Sequence, residues 1–109
     1  MQRLDFYVGY ELQASIKLEA DEITLGRDAS CMVQMPDERV SRLHALIKSV
    51  DNEHWIENHG ANGTRVNNRK IDAPYALKPG DAIFIASYIL VYQLEGAPVS
   101  DMASTVLAT

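Results

Sequence analysis

Short apolar runs separated by turn residues dominate this chain. No apolar pattern with a helical period persists for three turns, whereas alternation with a period of two recurs along the sequence. In residues 45–50, for example, Ala45, Ile47 and Ser49 are expected to face one side of a strand. The pattern predicts strands at residues 4–8, 12–18, 22–25, 32–34, 45–50, 54–57, 64–66, 82–86 and 88–94.

The residues between these runs favour tight turns. Asp51-Asn52 and Asn67-Asn68 predict hairpins, since asparagine tolerates the left-handed backbone that such turns need. Lys78-Pro79-Gly80-Asp81 predicts a further turn. Many short strands without helices predict an all-β sandwich or barrel. Its inner strands are expected around residues 83–85 and 88–92, which are apolar enough to be covered on both faces.

Length and composition are those of one globular domain. The 109 residues are 47% apolar, so a core can form without disulfides. The single cysteine, Cys31, cannot form an internal disulfide, which favours a reducing, cytoplasmic location. No apolar stretch is long enough to predict membrane insertion. We expect the folded domain to comprise residues 1–95 and residues 96–109 to form a flexible tail, because the tail has few strong apolar anchors.

The charge distribution favours a small anionic target. A net charge of −5 argues against a nucleic-acid binder. Seven of the ten basic residues nevertheless fall between residues 27 and 70, and four arginines lie in or beside the motif loops described below: Arg27, Arg39, Arg42 and Arg65.

Two polar motifs stand at the ends of predicted strands. Gly26-Arg27 follows the run at residues 22–25, so the guanidinium is held near a rigid sheet and can form two parallel hydrogen bonds to a phosphate. Ser41-Arg42-Leu43-His44 precedes the run at residues 45–50. The Ser41 hydroxyl can donate to a phosphate oxygen. The His44 ring is expected to join loops by bonding a backbone group.

The third motif, Asn62-Gly63-Thr64, follows the run at residues 54–57. Asn-Gly is a turn signal in its own right. The Asn62 carboxamide also offers a donor and an acceptor, so it can pair with the backbone of a bound peptide.

In order and spacing, the three motifs closely resemble those of the forkhead-associated (FHA) domain family, whose members bind phosphothreonine peptides. The resemblance includes Val66-Asn67 and runs from about residue 23 to residue 94. It implies a β-sandwich of two twisted, largely antiparallel sheets with ligand loops at one end. It implies a signalling module that recruits proteins phosphorylated by Ser/Thr kinases, with no cofactor, metal or enzymatic activity.

The resemblance also implies a role for each motif residue. Phosphate would be held by Arg27, Ser41 and Arg42, and the peptide backbone by Asn62. Arg39 and Arg65 would contribute to peptide specificity, with a preference for acidic flanking residues. The remaining residues would be architectural: Gly26, His44, Gly63, Thr64 and Asn67.

Three positions depart from the family pattern. Ala61 stands where many members carry Ser or Thr, so one hydrogen bond to the phosphate is absent. A charge-assisted hydrogen bond contributes about 1.5–3 kcal/mol, and its loss is expected to weaken binding about tenfold or more. Asn68 and Ala86 replace glycines that are common in the family, and both changes are expected to be tolerated.

Two other functions compete with this interpretation. One is an FHA-like scaffold that binds a partner independently of phosphate, for example in a secretion apparatus; such a domain would have no need of Arg27, Ser41 and Asn62. The other is a hydrolase using Ser41 and His44, which is disfavoured because no acidic residue near His44 is placed to orient it and no nucleophile elbow is present. The histidines and Cys31 are not at metal-ligand spacing.

Overall fold

The computed structural model describes residues 2–99, and these residues contain strands and no helix. The strands are β1 (Gln2–Val8), β2 (Glu11–Lys17), β3 (Glu22–Gly26), β4 (Val33–Gln34), β5 (Ala45–Val50), β6 (Glu53–Asn58), β7 (Arg65–Val66), β8 (Arg69–Lys70), β9 (Tyr75–Ala76), β10 (Ala82–Ile85) and β11 (Tyr88–Leu94). This part of the chain therefore has no helix long and apolar enough to cross a membrane.

The strands form two sheets. One sheet has the order β2-β1-β11-β10-β7-β8 and the other has the order β4-β3-β5-β6-β9. All pairs are antiparallel except the short parallel pair of β3 with β4. The predicted all-β sandwich of largely antiparallel sheets is confirmed.

Each of the nine predicted strands is present, with its ends within two residues of the predicted ones. The hairpin turn at Asp51 and Asn52 is also confirmed, with φ of 51° and 66°. The predicted hairpin at Asn67 and Asn68 is present as well, because β7 pairs with β8 across it, although β8 was not among the nine predicted strands; the two-residue strand β9 was missed. Ala86, where a glycine is common, has a φ of 53° in the tight turn between β10 and β11.

The core lies between the two sheets. Its fully buried side chains come from both layers: Leu4, Ile83, Ile85 and Leu90 from the first sheet, and Ile23, Leu25, Ile47 and Ile56 from the second. Two further core residues, Met35 and Val40, belong to the long loop before β5. That loop is therefore anchored in the core at two points, which restricts the positions of the polar residues that follow Val40.

Strand β11 is buried on both faces, as predicted. Residues 88–92 are all buried, and alternate side chains face the core between the sheets. On the opposite face, Ile89 and Val91 pack with Tyr7, Ala82 and the partly buried Phe84.

A buried ion pair joins the two described ends of the domain. Arg3 Nε donates to Asp5 Oδ1 at 2.8 Å, and Ser15 Oγ donates to the same oxygen at 2.8 Å. The hydrogen bond to Asp5 raises the pKa of Arg3. The Arg3 guanidinium also donates to the carbonyl oxygens of Leu94 at 2.9 Å and Ala97 at 2.6 Å. Ala97 belongs to the tail predicted at residues 96–109, most of which lies outside the described residues.

His54 and Tyr92 form a buried polar contact between the two sheets. His54 Nδ1 lies 2.7 Å from the Tyr92 hydroxyl, and the rings meet edge to face at 5.5 Å. Burial lowers the pKa of His54 and raises the pKa of Tyr92. The folded state therefore holds His54 in its neutral form at pH values where an exposed histidine would be protonated.

We predict that this histidine makes the domain less stable in mild acid. The unfolded chain protonates His54 near its ordinary pKa of about 6.5, whereas the folded chain does so only at lower pH. The free energy of unfolding should therefore fall as the pH drops below about 6.5, because the unfolded state then binds more protons. Urea denaturation at about pH 7.5 and about pH 5 measures this loss. His54→Gln should show a smaller loss, and an equal loss in that variant would contradict the assignment.

Candidate anion-binding site

Three loops at one end of the sandwich carry the polar motifs. The loop from β3 to β4 carries Arg27, the loop from β4 to β5 carries Ser41, and the loop from β6 to β7 carries Asn62. Backbone hydrogen bonds join the first two loops, because the amide of Arg27 donates to the Ser41 carbonyl at 3.0 Å and that of Asp28 donates to the Arg42 carbonyl at 3.2 Å. The first two motifs therefore lie side by side.

His44 connects the second loop to the third. The Ser41 amide donates to His44 Nδ1 at 3.0 Å, and His44 Nε2 lies 2.7 Å from the Gly63 carbonyl oxygen. A carbonyl oxygen can only accept, so Nε2 donates to Gly63 while Nδ1 accepts from Ser41. The ring is 1% exposed, and both of its nitrogens are used. His44 is therefore not available as a general base toward the Ser41 hydroxyl in this structure.

Two glycines allow backbone and ring to approach closely. A β-carbon at Gly26 would overlap the carbonyl of Arg42, and one at Gly60 would overlap the His44 ring. Neither glycine has a positive φ, so the requirement is for space. Gly26 was predicted to be architectural, whereas Gly60 was not identified from the sequence, because nothing local to it indicates that a histidine sixteen residues earlier will pack on it.

Asn58 organises the third loop from within. Its Oδ1 accepts from the Gly60 amide at 3.1 Å and from the Thr64 hydroxyl at 2.8 Å, and its Nδ2 donates to the Gly60 carbonyl at 3.1 Å. Thr64 is fully buried, and its carbonyl accepts from the Ile71 amide. Thr64 was predicted to be architectural, whereas Asn58, the last residue of β6, was not identified from the sequence, although asparagine is a frequent loop-forming residue.

The loops hold Arg27 and Ser41 with donor groups still available. Arg27 Nε donates to the Val40 carbonyl at 2.9 Å, and neither Nη atom has a partner among residues 2–99. The Ser41 hydroxyl oxygen accepts from the Ala61 amide at 3.1 Å, so its proton remains free to donate. An exposed guanidinium fixed at its Nε by the residue before Ser41, on a loop bonded to the one that carries the Ser41 hydroxyl, suits a tetrahedral anion.

Asn62 is fixed at one atom and free at the others. Its Nδ2 donates to the Arg39 carbonyl at 2.8 Å, which ties the third loop to the second. One N–H and the Oδ1 of the exposed carboxamide are left for another molecule. The structure thus brings Arg27, Ser41 and Asn62 to neighbouring loops.

Arg42 lies toward the first loop. Its exposed side chain borders a shallow depression with Thr24, Asp28 and Cys31, and it has no ion pair or hydrogen bond among the described residues. Asp28 Oδ2 accepts from the amide and hydroxyl of Ser30. These bonds, with the charges of Arg42 and Arg27, lower the pKa of Asp28. Because Ser30 holds this carboxylate, both arginines remain unpaired.

The two predicted specificity residues differ in their surroundings. Arg39 is paired with Asp37, with its Nε 3.0 Å from Oδ1 and its Nη2 2.8 Å from Oδ2. This pairing lowers the pKa of Asp37 to about 2. Arg65 is exposed and has no side-chain partner among residues 2–99. Both arginines border a depression beside Asn62.

The remaining architectural residues stand at turns. Gly63 has a φ of 82°, a conformation that favours glycine. Asn67 has a φ of 57°, and its carboxamide joins the turn between β7 and β8 to the start of β10. Its Nδ2 donates to Asp81 Oδ1 at 3.0 Å, and its Oδ1 accepts from the Ala82 amide at 3.0 Å. The described residues contain no cluster of side chains able to hold a metal ion.

Comparisons with known proteins identify one family. The family model of the FHA domain matches residues 23–86. The chain is similar in structure to the FHA domain of the CT664 protein from Chlamydia trachomatis, with a TM-score of 0.76, 23% identity, and coverage of 85% of this chain and 96% of that one. No curated protein matches the sequence.

Two further solved structures are similar. One comes from a structural and functional analysis of phosphothreonine-dependent FHA domain interactions, with a TM-score of 0.76, 23% identity, and coverage of 90% of this chain and 98% of that one. The other is Mycobacterium tuberculosis EmbR in complex with a low affinity phosphopeptide, with a TM-score of 0.79 and 22% identity. That match covers 91% of this chain but 26% of EmbR. At these identities the likeness shows the fold.

We predict that Gly60→Ala destabilises the domain by about 1–3 kcal/mol, because the added methyl group must displace the His44 ring. Urea denaturation of Gly60→Ala, His44→Ala and the double variant measures the coupling between the two positions. The added methyl should cost less in the His44→Ala background, where the ring is absent. Equal costs in both backgrounds would show that the ring does not set the requirement for glycine.

Proposed function

Because this chain belongs to the FHA domain family, we propose that it binds phosphothreonine peptides and thereby recruits proteins phosphorylated by Ser/Thr kinases. FHA domains recognise phosphorylated motifs through arginine-containing sites. The module binds its target and performs no chemistry on it. Its single cysteine is compatible with the cytoplasm, where we place this function.

One observation carries the proposal: Arg27 Nε is fixed by the carbonyl of Val40, the residue before Ser41, while neither Nη atom nor the Ser41 hydroxyl proton has a partner among residues 2–99. An exposed arginine with a nearby carboxylate would ordinarily pair with it, yet Asp28 is bonded to Ser30 instead. The two Nη atoms can bind two phosphate oxygens, and the Ser41 hydroxyl can donate to the phosphate as well.

The other site residues act around this phosphate. Asn62 has an N–H and an oxygen left for the backbone of the peptide, which fixes the direction of the ligand. Arg42, in the second loop, adds positive charge from a depression that it borders with Asp28 of the first loop. The structures similar to this chain include an EmbR complex with a phosphopeptide, which supports the assignment without testing it for this chain.

We predict that Arg27→Lys weakens phosphothreonine-peptide binding about tenfold or more, because an ammonium group cannot form the parallel pair of hydrogen bonds. One charge-assisted hydrogen bond contributes about 1.5–3 kcal/mol, which corresponds to at least about tenfold in the dissociation constant. Isothermal titration calorimetry with a degenerate phosphothreonine peptide library, and with unphosphorylated and phosphoserine versions, measures the effect.

Lys78→Ala provides a control, since Lys78 lies in the turn before β10 and outside the motif loops. It should bind as the parent chain does. Binding that does not require the phosphate, from a folded chain, would reject the proposal and favour a phosphate-independent scaffold instead.

We predict that Ala61→Ser strengthens phosphopeptide binding, up to about tenfold, by supplying a hydroxyl beside the phosphate site. Ala61 is exposed, and its amide already bonds Ser41 Oγ, so the new hydroxyl lies next to that group. The same titrations measure the gain. Ala61→Thr should also strengthen binding, whereas Ala61→Val, which has the shape of threonine without its hydroxyl, should give no gain; equal gains in the threonine and valine variants would exclude a hydrogen-bond effect.

A further inference from the structure

We propose that the hairpin formed by β7 and β8 binds an acidic side chain of the peptide, with Arg65 and Lys70 as its partners. The inference rests on the proposed function, because it concerns a second contact of the same ligand. It differs from the sequence-based expectation in which Arg39 shares this role. Of the cations near Asn62, Arg39 in the loop before β5 is paired with Asp37, whereas Arg65 and Lys70 on the hairpin have no acidic partner among residues 2–99.

Arg39 already has a carboxylate partner. Asp37 occupies its Nε and one Nη in a two-point contact, and that Nη lies 3.4 Å from the Ser87 hydroxyl. The Asp37 carboxylate is also held within its own loop, since its Oδ1 accepts from the Arg39 amide at 2.8 Å. A ligand carboxylate would have to displace Asp37 before Arg39 could bind it.

Arg65 and Lys70 carry two like charges that face each other. They are directly opposite in the pairing of β7 with β8, so both side chains emerge on one face of the hairpin. Both are exposed, and neither has an acidic partner among residues 2–99. Like charges in this position are destabilising, and an anion placed between them would relieve the repulsion. The arrangement suits a ligand carboxylate.

The hairpin adjoins the place where the peptide backbone would bind. The Lys70 side chain lies against Gly63, since a β-carbon at Gly63 would overlap Lys70 Cε. A depression of about 480 Å³ runs from Asn62 and Gly63 to Arg65. A peptide held at Asn62 can therefore reach the two cations without leaving the surface.

The walls of this depression indicate which acidic side chain fits. Phe84 is paired with Arg65 across β7 and β10 and borders the depression together with Ala86. The methylene groups of a glutamate can pack on this apolar surface while its carboxylate reaches Arg65. Arg65 follows Asn62 by three residues, a span of at most about 10 Å, so the acidic residue is expected within about three positions of the one held at Asn62.

The test compares matched peptides and matched variants. One glutamate is moved through each position flanking a phosphothreonine, and every peptide has a glutamine counterpart. Fluorescence anisotropy gives the dissociation constants for the parent chain, Arg65→Gln, Lys70→Gln, Arg39→Gln and Arg69→Gln. Arg69 is the control, because it neighbours Lys70 but lies opposite Val66 and so faces the other side of the hairpin.

The parent chain should prefer glutamate over glutamine about three- to fivefold at one position, as expected for exposed ion pairs. Arg65→Gln and Lys70→Gln should each reduce that preference below about twofold, whereas Arg39→Gln and Arg69→Gln should retain it. Each hairpin variant should unfold at a temperature no lower than the parent chain, because it removes one of two facing like charges. A lost preference would then not reflect unfolding.

The outcomes separate this inference from the proposed function. Phosphate-dependent binding without a glutamate preference, or a preference that survives in Arg65→Gln and Lys70→Gln, would overturn the inference and leave the phosphothreonine site standing. A preference abolished by Arg39→Gln alone would also overturn it. If the parent chain binds phosphorylated and unphosphorylated peptides equally, the proposed function fails, and the inference fails with it.

Discussion

The buried His44 ring is the contact on which the ligand-binding end of this domain depends. It accepts from the Ser41 amide and donates to the Gly63 carbonyl, so it joins two loops that are separated by the whole of β5 and β6. Both partners of the ring are backbone groups, so these contacts use none of the side chains proposed to bind the ligand. The ring therefore fixes the backbone of the site, while the Ser41 hydroxyl proton and the Asn62 Oδ1 and second N–H remain for a ligand.

Near this contact, the carboxylates of Asp28 and Asp37 bond to residues other than Arg27 and Arg42, so these two arginines have no ion pair among residues 2–99. Asp28 is held by Ser30, so that Arg27 and Arg42 remain available. Asp37 is held by Arg39, which removes both of those charges from competition. A site prepared in this way need not break its own ion pairs before it binds an anion, so little of the binding energy is lost to rearrangement.

The strands and most turns could be predicted from the sequence because their signals are local. Alternating apolar residues predicted β5, and the turns at Asp51-Asn52 and Asn67-Asn68 predicted the hairpins that they form. The site was harder, since its geometry depends on contacts between distant residues. The need for Gly60 arises from His44, which packs on it from another loop. The pairing of Arg39 with Asp37 depends on side-chain conformations that no motif encodes. Strand β9 has two residues, and the sequence predicted no strand there.

The pairing of β1 with β11 also determines how this domain would carry a mechanical load. Gln2 pairs with Leu94, and the Arg3 guanidinium donates to the carbonyl oxygens of Leu94 and Ala97. The two described ends therefore lie next to each other at one end of the sandwich. The turn beside Arg39 lies at the other end of β11, about 20 Å away. Tension applied through the two ends would first break the hydrogen bonds of Arg3 to Leu94 and Ala97. It would then separate β1 from β11 one residue pair at a time. The ligand loops lie at the far end of this pair of strands, so the separation of β1 from β11 would reach them last.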